Sequence, residues 1–450
     1  MNQIDHNASL LADYRKYMLP VLNFRDIVLV RGQGSYVWDA NGARYLDLNS
    51  GQFCAVLGHS DPGVSKMMIE ISQTLQDTDT STLTEAVLQA AKKIHDRARG
   101  MQARTIFLST GAEAVECCLK YAKHLKEKSG VISFDKAYHG LTHGSAAYSM
   151  SRDRIRPTVE HSYVTPTPRV FSGDDSAEDR AEIDHCIEVF RQTIAREKAH
   201  IAAAIFEPIV SGGGFYFPPA RYFQAIREIC DDNDIFLIFD ECQTGFGRTG
   251  SWFYYQQLDC VPDFIVCAKA MGMGYPVSCV IANGRTVPHE KFVMEYFSSH
   301  QNESYAGALV SHLIDEIEAR DLLNANRVTG EALRTRLGEI AAAFPSIRNV
   351  RGRGLMCAFD LAVTPGLDSK QAGDLFCALA QRNGLLMQHC NMGRTLRLLP
   401  NYAASADDFD FFETRLKATL TQFSAMLDEA VSSQAMPLKA GSTSTHQTHE

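Results

Sequence analysis

The stretch FIVCAKAMGMGYPV, residues 264–277, decides how this chain folds. An apolar run with the composition of a buried strand ends on Lys269 and breaks at once into Met-Gly-Met-Gly. A lysine in that position needs a reason, because an ammonium group is costly to bury without a partner. The preceding strand candidate, IFLIFD at 235–240, runs through the same kind of apolar sequence and ends on an acid, Asp240. Opposite charges at the C-terminal ends of two successive strands either form a buried ion pair or flank a bound group that uses both.

Further strand candidates surround these two. ARTIFLS (103–109) leads into an apolar-periodic stretch from Ala112 to Leu125. GVISF (130–134), HIAAAIF (200–206), a helix near 219–231, and VSCVIA (277–282) complete the alternation. Strands alternating with helices imply an α/β fold, a mostly parallel sheet wrapped by helices with a site at the strand C-termini. Ahead of it, YVWDANGARYLDL (36–48) reads as a hairpin around Asn41-Gly42. From about 316, RVTGEALRTRLGEIAAAF reads as a long helix, RGRGLMCAFDL (351–361) as a strand, and a further helix follows. The expected organisation is an N-terminal segment (1–55) packing with the small domain, a large domain (56–315), a smaller α+β domain (316–431), and a Ser/Thr-rich disordered tail (432–450).

Composition narrows the function. The chain has 450 residues, 45% hydrophobic and 22% charged, which is ordinary for a globular protein with a sizeable core. A net charge of -9 argues against non-specific binding of nucleic acid or anionic membranes. No basic-then-apolar leader and no apolar run near the roughly 20 residues of a membrane span is present, so a cytoplasmic location is expected. The twelve cysteines are scattered without a CxxC pair and read as reduced core thiols. His139 and His143 have an HxxxH spacing, but Gly140 and Gly144 argue against a helix there, and no metal site is expected.

Two loops bear on the chemistry. FLSTGAEAVECCLKYAK (107–123) carries a strand through Ser109-Thr110-Gly111-Ala112 into a helix; its exposed N–H groups suit a phosphate, although Thr110 also reads as an ordinary N-cap. Gly245, Gly247 and Gly250 match GxGxxG, yet Asp240–Thr244 intervene after the strand and SWFYYQQLDCVPD is a poor crossover helix, so a dinucleotide fold is set aside. Lysine forms Schiff bases, and a phosphorylated pyridine aldehyde would use Lys269, Asp240 and the 110–112 loop together.

At this point the sequence resembles the class III (ω-type) aminotransferases, fold-type I enzymes that use pyridoxal 5'-phosphate. GHSDP, STGAEAVE, FDKAYHG, FEPIVSGGG, FDECQTGFGRTG, AKAMGMGYP and RGRGL occur in the family's order and spacing between about 25 and 425. The resemblance implies a large domain with a mostly parallel sheet, a smaller α+β domain, and amino transfer from an amine or amino acid to a 2-oxo acid by a ping-pong mechanism. It makes Lys269 the Schiff-base lysine and Asp240 the acid that keeps the pyridine nitrogen protonated. Tyr138 matches the residue stacked on the ring, Gln243 the contact to the ring hydroxyl, and Thr110, Gly111 and Ala112 the phosphate cradle. His139 and Glu207 fall at the cofactor site, Glu207 in a structural rather than catalytic role. Arg248, Arg351 and Arg353 read as structural, the last two as anchors of the second domain. Ser299, in SSHQNES, stands where the family reaches the phosphate across a subunit interface, which implies a homodimer or a dimer of dimers.

For the substrate, the resemblance assigns a carboxylate to Arg397 in LRLLP, whose planar fork suits that group. A glutamate that in several relatives shields this arginine is replaced by Gly212. Gln52, within SGQFCAVLGHSDP, is similar in placement to a glutamine of the 2,2-dialkylglycine decarboxylase branch, where it positions the carboxylate that is lost. Tyr138 and Gly212 depart from that branch, which has tryptophan and serine there. Decarboxylation-dependent transamination therefore stays beside plain transamination, with a racemase or epimerase further behind.

Overall fold

The computed structural model describes residues 5–150, 157, 159–172, 176–287, 294–362 and 367–434, with side chains as far as 428. A seven-stranded sheet forms its centre, in the order Arg104–Leu108, Ser278–Ala282, Phe264–Cys267, Phe236–Asp240, Ile201–Phe206, Gly130–Phe134, Ser162–Thr165. Ser278–Ala282 runs antiparallel to both of its neighbours, and the other adjacent pairs are parallel. Four of these strands, Gly130–Phe134, Ile201–Phe206, Phe264–Cys267 and Ser278–Ala282, are buried at every position, as expected where helices cover both faces. The period of two divides each strand between two cores. Ile238 and Val266 face a cluster with Ala114, Val115 and Cys118 of helix Gly111–Lys126, while Phe239 and Ile265 face the larger cluster on the other side.

The alternation expected from the sequence is present, with helix Ala220–Asp232 where 219–231 was read. Strand Ser162–Thr165 was not anticipated; it is short, sits at the sheet edge and follows no clear apolar run. The stretch 351–361 is not one strand. Ile347–Arg353 and Met356–Leu361 form an antiparallel hairpin, reversed at Gly354, whose φ of 52° suits glycine. With Thr395–Leu398 and Gln388–Cys390 they make a second, four-stranded sheet.

Residue 316 lies inside helix Ser304–Ala319, whose Leu309, Val310, Leu313 and Ile317 belong to the large core. The next helix, Leu322–Ala343, starts in the large core with Leu322 and puts Leu333, Leu337 and Ile340 into a smaller core, so the chain changes cores within this helix. The N-terminal hairpin reaches that smaller core through Leu46 and Leu48, and its strand Arg44–Asp47 pairs in parallel with Leu385–Leu386. Of the expected tail, 432–434 end the helix Ala406–Gln434, and the remainder lies outside the described residues. All twelve cysteines are free thiols and ten of them are buried.

Candidate active site

Five of the singled-out positions follow the C-terminal ends of strands on one edge of the central sheet. Across that edge come Thr110, Lys269, Asp240, Glu207 and Tyr138, in the order of their strands. Common strand direction is the cause: the parallel strands, and Arg104–Leu108 across the one antiparallel strand, run the same way and deliver their C-terminal residues to the same side.

Lys269 opens a single 3-10 turn, Lys269–Gly272, with φ of 51°, a left-handed conformation uncommon for a side chain of this size. It does not pair with Asp240. The Asp240 carboxylate instead accepts a hydrogen bond of 2.7 Å from His139 Nδ1 and one of 3.1 Å from the Cys242 N–H. Burial pushes the Asp240 carboxyl up, but His139, the Lys269 charge and the Cys242 N–H together outweigh it and hold the group below the usual carboxylate range. An ionised carboxylate only accepts, so Nδ1 of His139 carries the proton. His139 Nε2 is buried with no partner among the described residues.

Glu207, on the adjacent strand end, behaves in the opposite way. Its carboxylate accepts the Tyr138 N–H at 2.7 Å, and burial, with Asp240 nearby, pushes its carboxyl up to about 7. That bond fixes the backbone of Tyr138, a residue that is 42% exposed. Gln243 Oε1 accepts the Ser211 hydroxyl at 2.9 Å.

At the phosphate-loop candidate, Thr110 is an N-cap: its hydroxyl accepts the Glu113 N–H at 3.3 Å. Gly111 is tightly confined, since a Cβ there would stand 3.1 Å from Cys242 Sγ and 3.3 Å from Ala268 Cβ. The Glu113 carboxylate takes the Ser109 N–H and the Ser298 hydroxyl, at 3.0 and 2.7 Å, which draws the 298–300 segment against this loop. Ser299 itself is exposed.

Gln52 and Arg397 come together in a second cluster. Asp47 accepts the N–H groups of Asn49 and Gly51 and pairs with His59 at 2.8 Å, shaping the turn that presents Gln52. Arg397 lies over the Phe53 ring, 4.5 Å from its centre. Gln388 joins the two: Arg397 Nη2 donates to its Oε1 at 2.9 Å and its Nε2 donates to Gln52 Oε1 at 3.1 Å. Sequence reading missed Gln388, because only strand register makes it the direct cross-strand partner of Arg397. The same reading set His139 at the cofactor site without its bond to Asp240, and weighed it against His143 as an HxxxH pair. His143 begins the short helix His143–Ala147, which does form despite Gly144, and His139 precedes it. Among the described residues no three His, Cys, Asp or Glu side chains gather as a metal site.

Arg351 ties the second sheet to the site, donating to the carbonyls of Gly214 and Phe215 and pairing with Asp360 at 2.8 Å. Arg353 donates to the Ser172 carbonyl, and the buried Arg248 donates to Pro400 O.

A profile of the family described as aminotransferase class-III matches residues 20–420. The chain belongs to this family. It is 31% identical over 425 residues to the acetylornithine aminotransferase of Xylella fastidiosa, covering 91% of this chain and 96% of that one. An uncharacterised aminotransferase of Schizosaccharomyces pombe is 27% identical, over 89% and 93% of the two chains. The solved amine transaminase of an uncultivated Pseudomonas species, in its PLP-bound form, superposes with a TM-score of 0.82 at 25% identity, over 90% and 98%. The protein is thus a pyridoxal 5'-phosphate-dependent aminotransferase, acting on an amino donor and a 2-oxo acid. No helix among the described residues is long and apolar enough to cross a membrane.

Proposed function

We propose that this aminotransferase holds its cofactor between Lys269, Asp240 and the 110–112 loop, and seats the carboxylate of its 2-oxo acid on Arg397 beside Gln52. The observation that carries the reading is Asp240, ionised although 5% exposed, on the same sheet edge as the Lys269 amine. A buried carboxylate with that charge suits a ring N–H⁺. The remaining residues fit as well: the Tyr138 ring for the pyridine face, Gln243 for the ring hydroxyl, and the N–H groups of Gly111 and Ala112 for the phosphate. His139 and Glu207 hold Asp240 and the Tyr138 backbone in place.

When bound, the cofactor supplies a carbonyl for amine exchange and a ring that accepts the electron pair of the broken bond. Lys269 carries the cofactor covalently and, once displaced by the donor, moves a proton at its Nζ. Asp240 keeps the ring charged, and Arg397 fixes which substituent of the substrate stands across the ring.

A second copy of the chain is expected to complete the site, with its Ser299 reaching the phosphate. The exposed Leu141, three residues after Tyr138, and Phe297, next to Ser298, support a covering partner.

The test is a half-reaction on cofactor-loaded protein with a panel of amines, L-amino acids, ω-amino acids and an α,α-dialkyl amino acid. Loss of the cofactor's visible absorbance and release of carbon dioxide are followed together. Bleaching without carbon dioxide is expected, and Lys269→Ala should abolish turnover; a fully active Lys269→Ala protein refutes the assignment. A second reading, decarboxylation-dependent transamination of the 2,2-dialkylglycine decarboxylase type, is favoured by the linkage of Gln52 to Arg397. Carbon dioxide released in step with bleaching would replace the first reading by this one.

A further inference from the structure

We infer that Gln388 sets the polarity of the substrate-carboxylate subsite, keeping both Arg397 and Gln52 as donors toward the ligand. The inference rests on the reading of Arg397 as the carboxylate site.

The argument follows from donor and acceptor inventory. Arginine only donates, so the Gln388 group facing Arg397 Nη2 must be its carbonyl oxygen. The Gln388 amide NH₂ then faces Gln52, and the Gln52 group that receives it must be an oxygen. Gln52 is exposed, and with its oxygen engaged its NH₂ is the end that a ligand meets. One neutral side chain thereby orients a second amide and supports the guanidinium without cancelling its charge. Strand geometry makes this possible, because Gln388 and Arg397 are direct antiparallel partners.

A glutamate at 388 would reverse both effects. It accepts only, so it would pair with Arg397 as a salt bridge and draw the Gln52 NH₂ toward itself, turning the Gln52 oxygen to the ligand. A methionine would remove both bonds and leave the Arg397 charge intact. The two substitutions therefore separate polarity from support. If Gln388 only braced the strand, glutamate, which keeps the bond to Arg397, would be the milder change.

The experiment is calorimetric titration of cofactor-loaded protein with butanoate, an unreactive carboxylate, for wild type, Gln388→Met, Gln388→Glu and Arg397→Met. Cofactor absorbance and circular dichroism check that each variant is folded and loaded. The expected order of affinity is wild type, then Gln388→Met weakened about threefold, then Gln388→Glu weakened at least about tenfold. Gln388→Glu binding as tightly as Gln388→Met or tighter overturns the inference while leaving Arg397 in place. Wild-type protein that fails to bind butanoate, or Arg397→Met that binds like wild type, overturns the underlying reading instead.

Discussion

Glu207 and Asp240 end neighbouring parallel strands, both buried, and yet titrate in opposite directions. Asp240 has direct hydrogen bonds from the His139 ring N–H and the Cys242 N–H as well as the Lys269 charge; Glu207 feels His139 and Lys269 only through space, accepts one backbone N–H and is repelled by Asp240, which leaves burial dominant. Its carboxyl is raised from 4.5 to about 7 by burial first. Between those values the folded protein binds more protons at this site than the unfolded chain, so stability falls as pH rises through the window. Glu207→Gln removes that dependence and keeps an acceptor for the Tyr138 N–H. Relative to wild type, the variant should gain up to about 3 kcal/mol of unfolding free energy between pH 5 and pH 8. Urea unfolding at the two pH values measures this, and an unchanged difference would mean that Glu207 does not titrate there. Glu241, also raised to about 7, is common to both proteins and cancels.

At the scale of elements, Gly111 is where three of them meet: the start of helix Gly111–Lys126, the loop after Asp240, and the residue before Lys269. Contacts of 3.1 and 3.3 Å leave no room for a methyl group unless Cys242 or Ala268 shifts. Alanine favours the helix itself, so any loss in Gly111→Ala comes from that crowding. Overpacking of about 1–2 kcal/mol predicts roughly tenfold weaker cofactor binding by fluorescence titration, with helix content unchanged. Wild-type affinity in Gly111→Ala would show that the neighbours yield and the cradle does not depend on a glycine. The elements that set this site were legible because their strands are buried on both faces and interrupted by polar turns. Lys269 and Asp240 stood out as charges at the ends of apolar runs, a local signal. What sequence reading missed depends on pairing. Gln388 acquires meaning only beside Arg397, the bond from His139 to Asp240 appears only once the sheet brings the two together, and 351–361 looked like one strand because the turn at Gly354 lies in an otherwise strand-like run.

On the scale of the whole molecule, two large apolar side chains close in sequence to candidate site residues are left uncovered. Leu141 is 70% exposed and Phe297 74%, one three residues beyond Tyr138 and the other next to Ser298, which bonds to Glu113 of the phosphate loop. Leu19 and Tyr17 near the N-terminus are exposed to a similar degree. Exposed apolar side chains near a polar site suit contact with another chain. On the proposed reading a second copy is the occupant, with its exposed Ser299 reaching the phosphate of its neighbour. Sedimentation equilibrium should therefore report two or four times the 49.9 kDa of one chain. Leu141→Asp combined with Phe297→Asp places two charges in that contact, which should shift the protein toward monomer and weaken cofactor retention in parallel. Dimer loss with cofactor affinity unchanged would remove Ser299 from the site while keeping the interface. A wild-type protein that sediments at 49.9 kDa and still retains its cofactor would show that one chain suffices, and the shared site would be wrong.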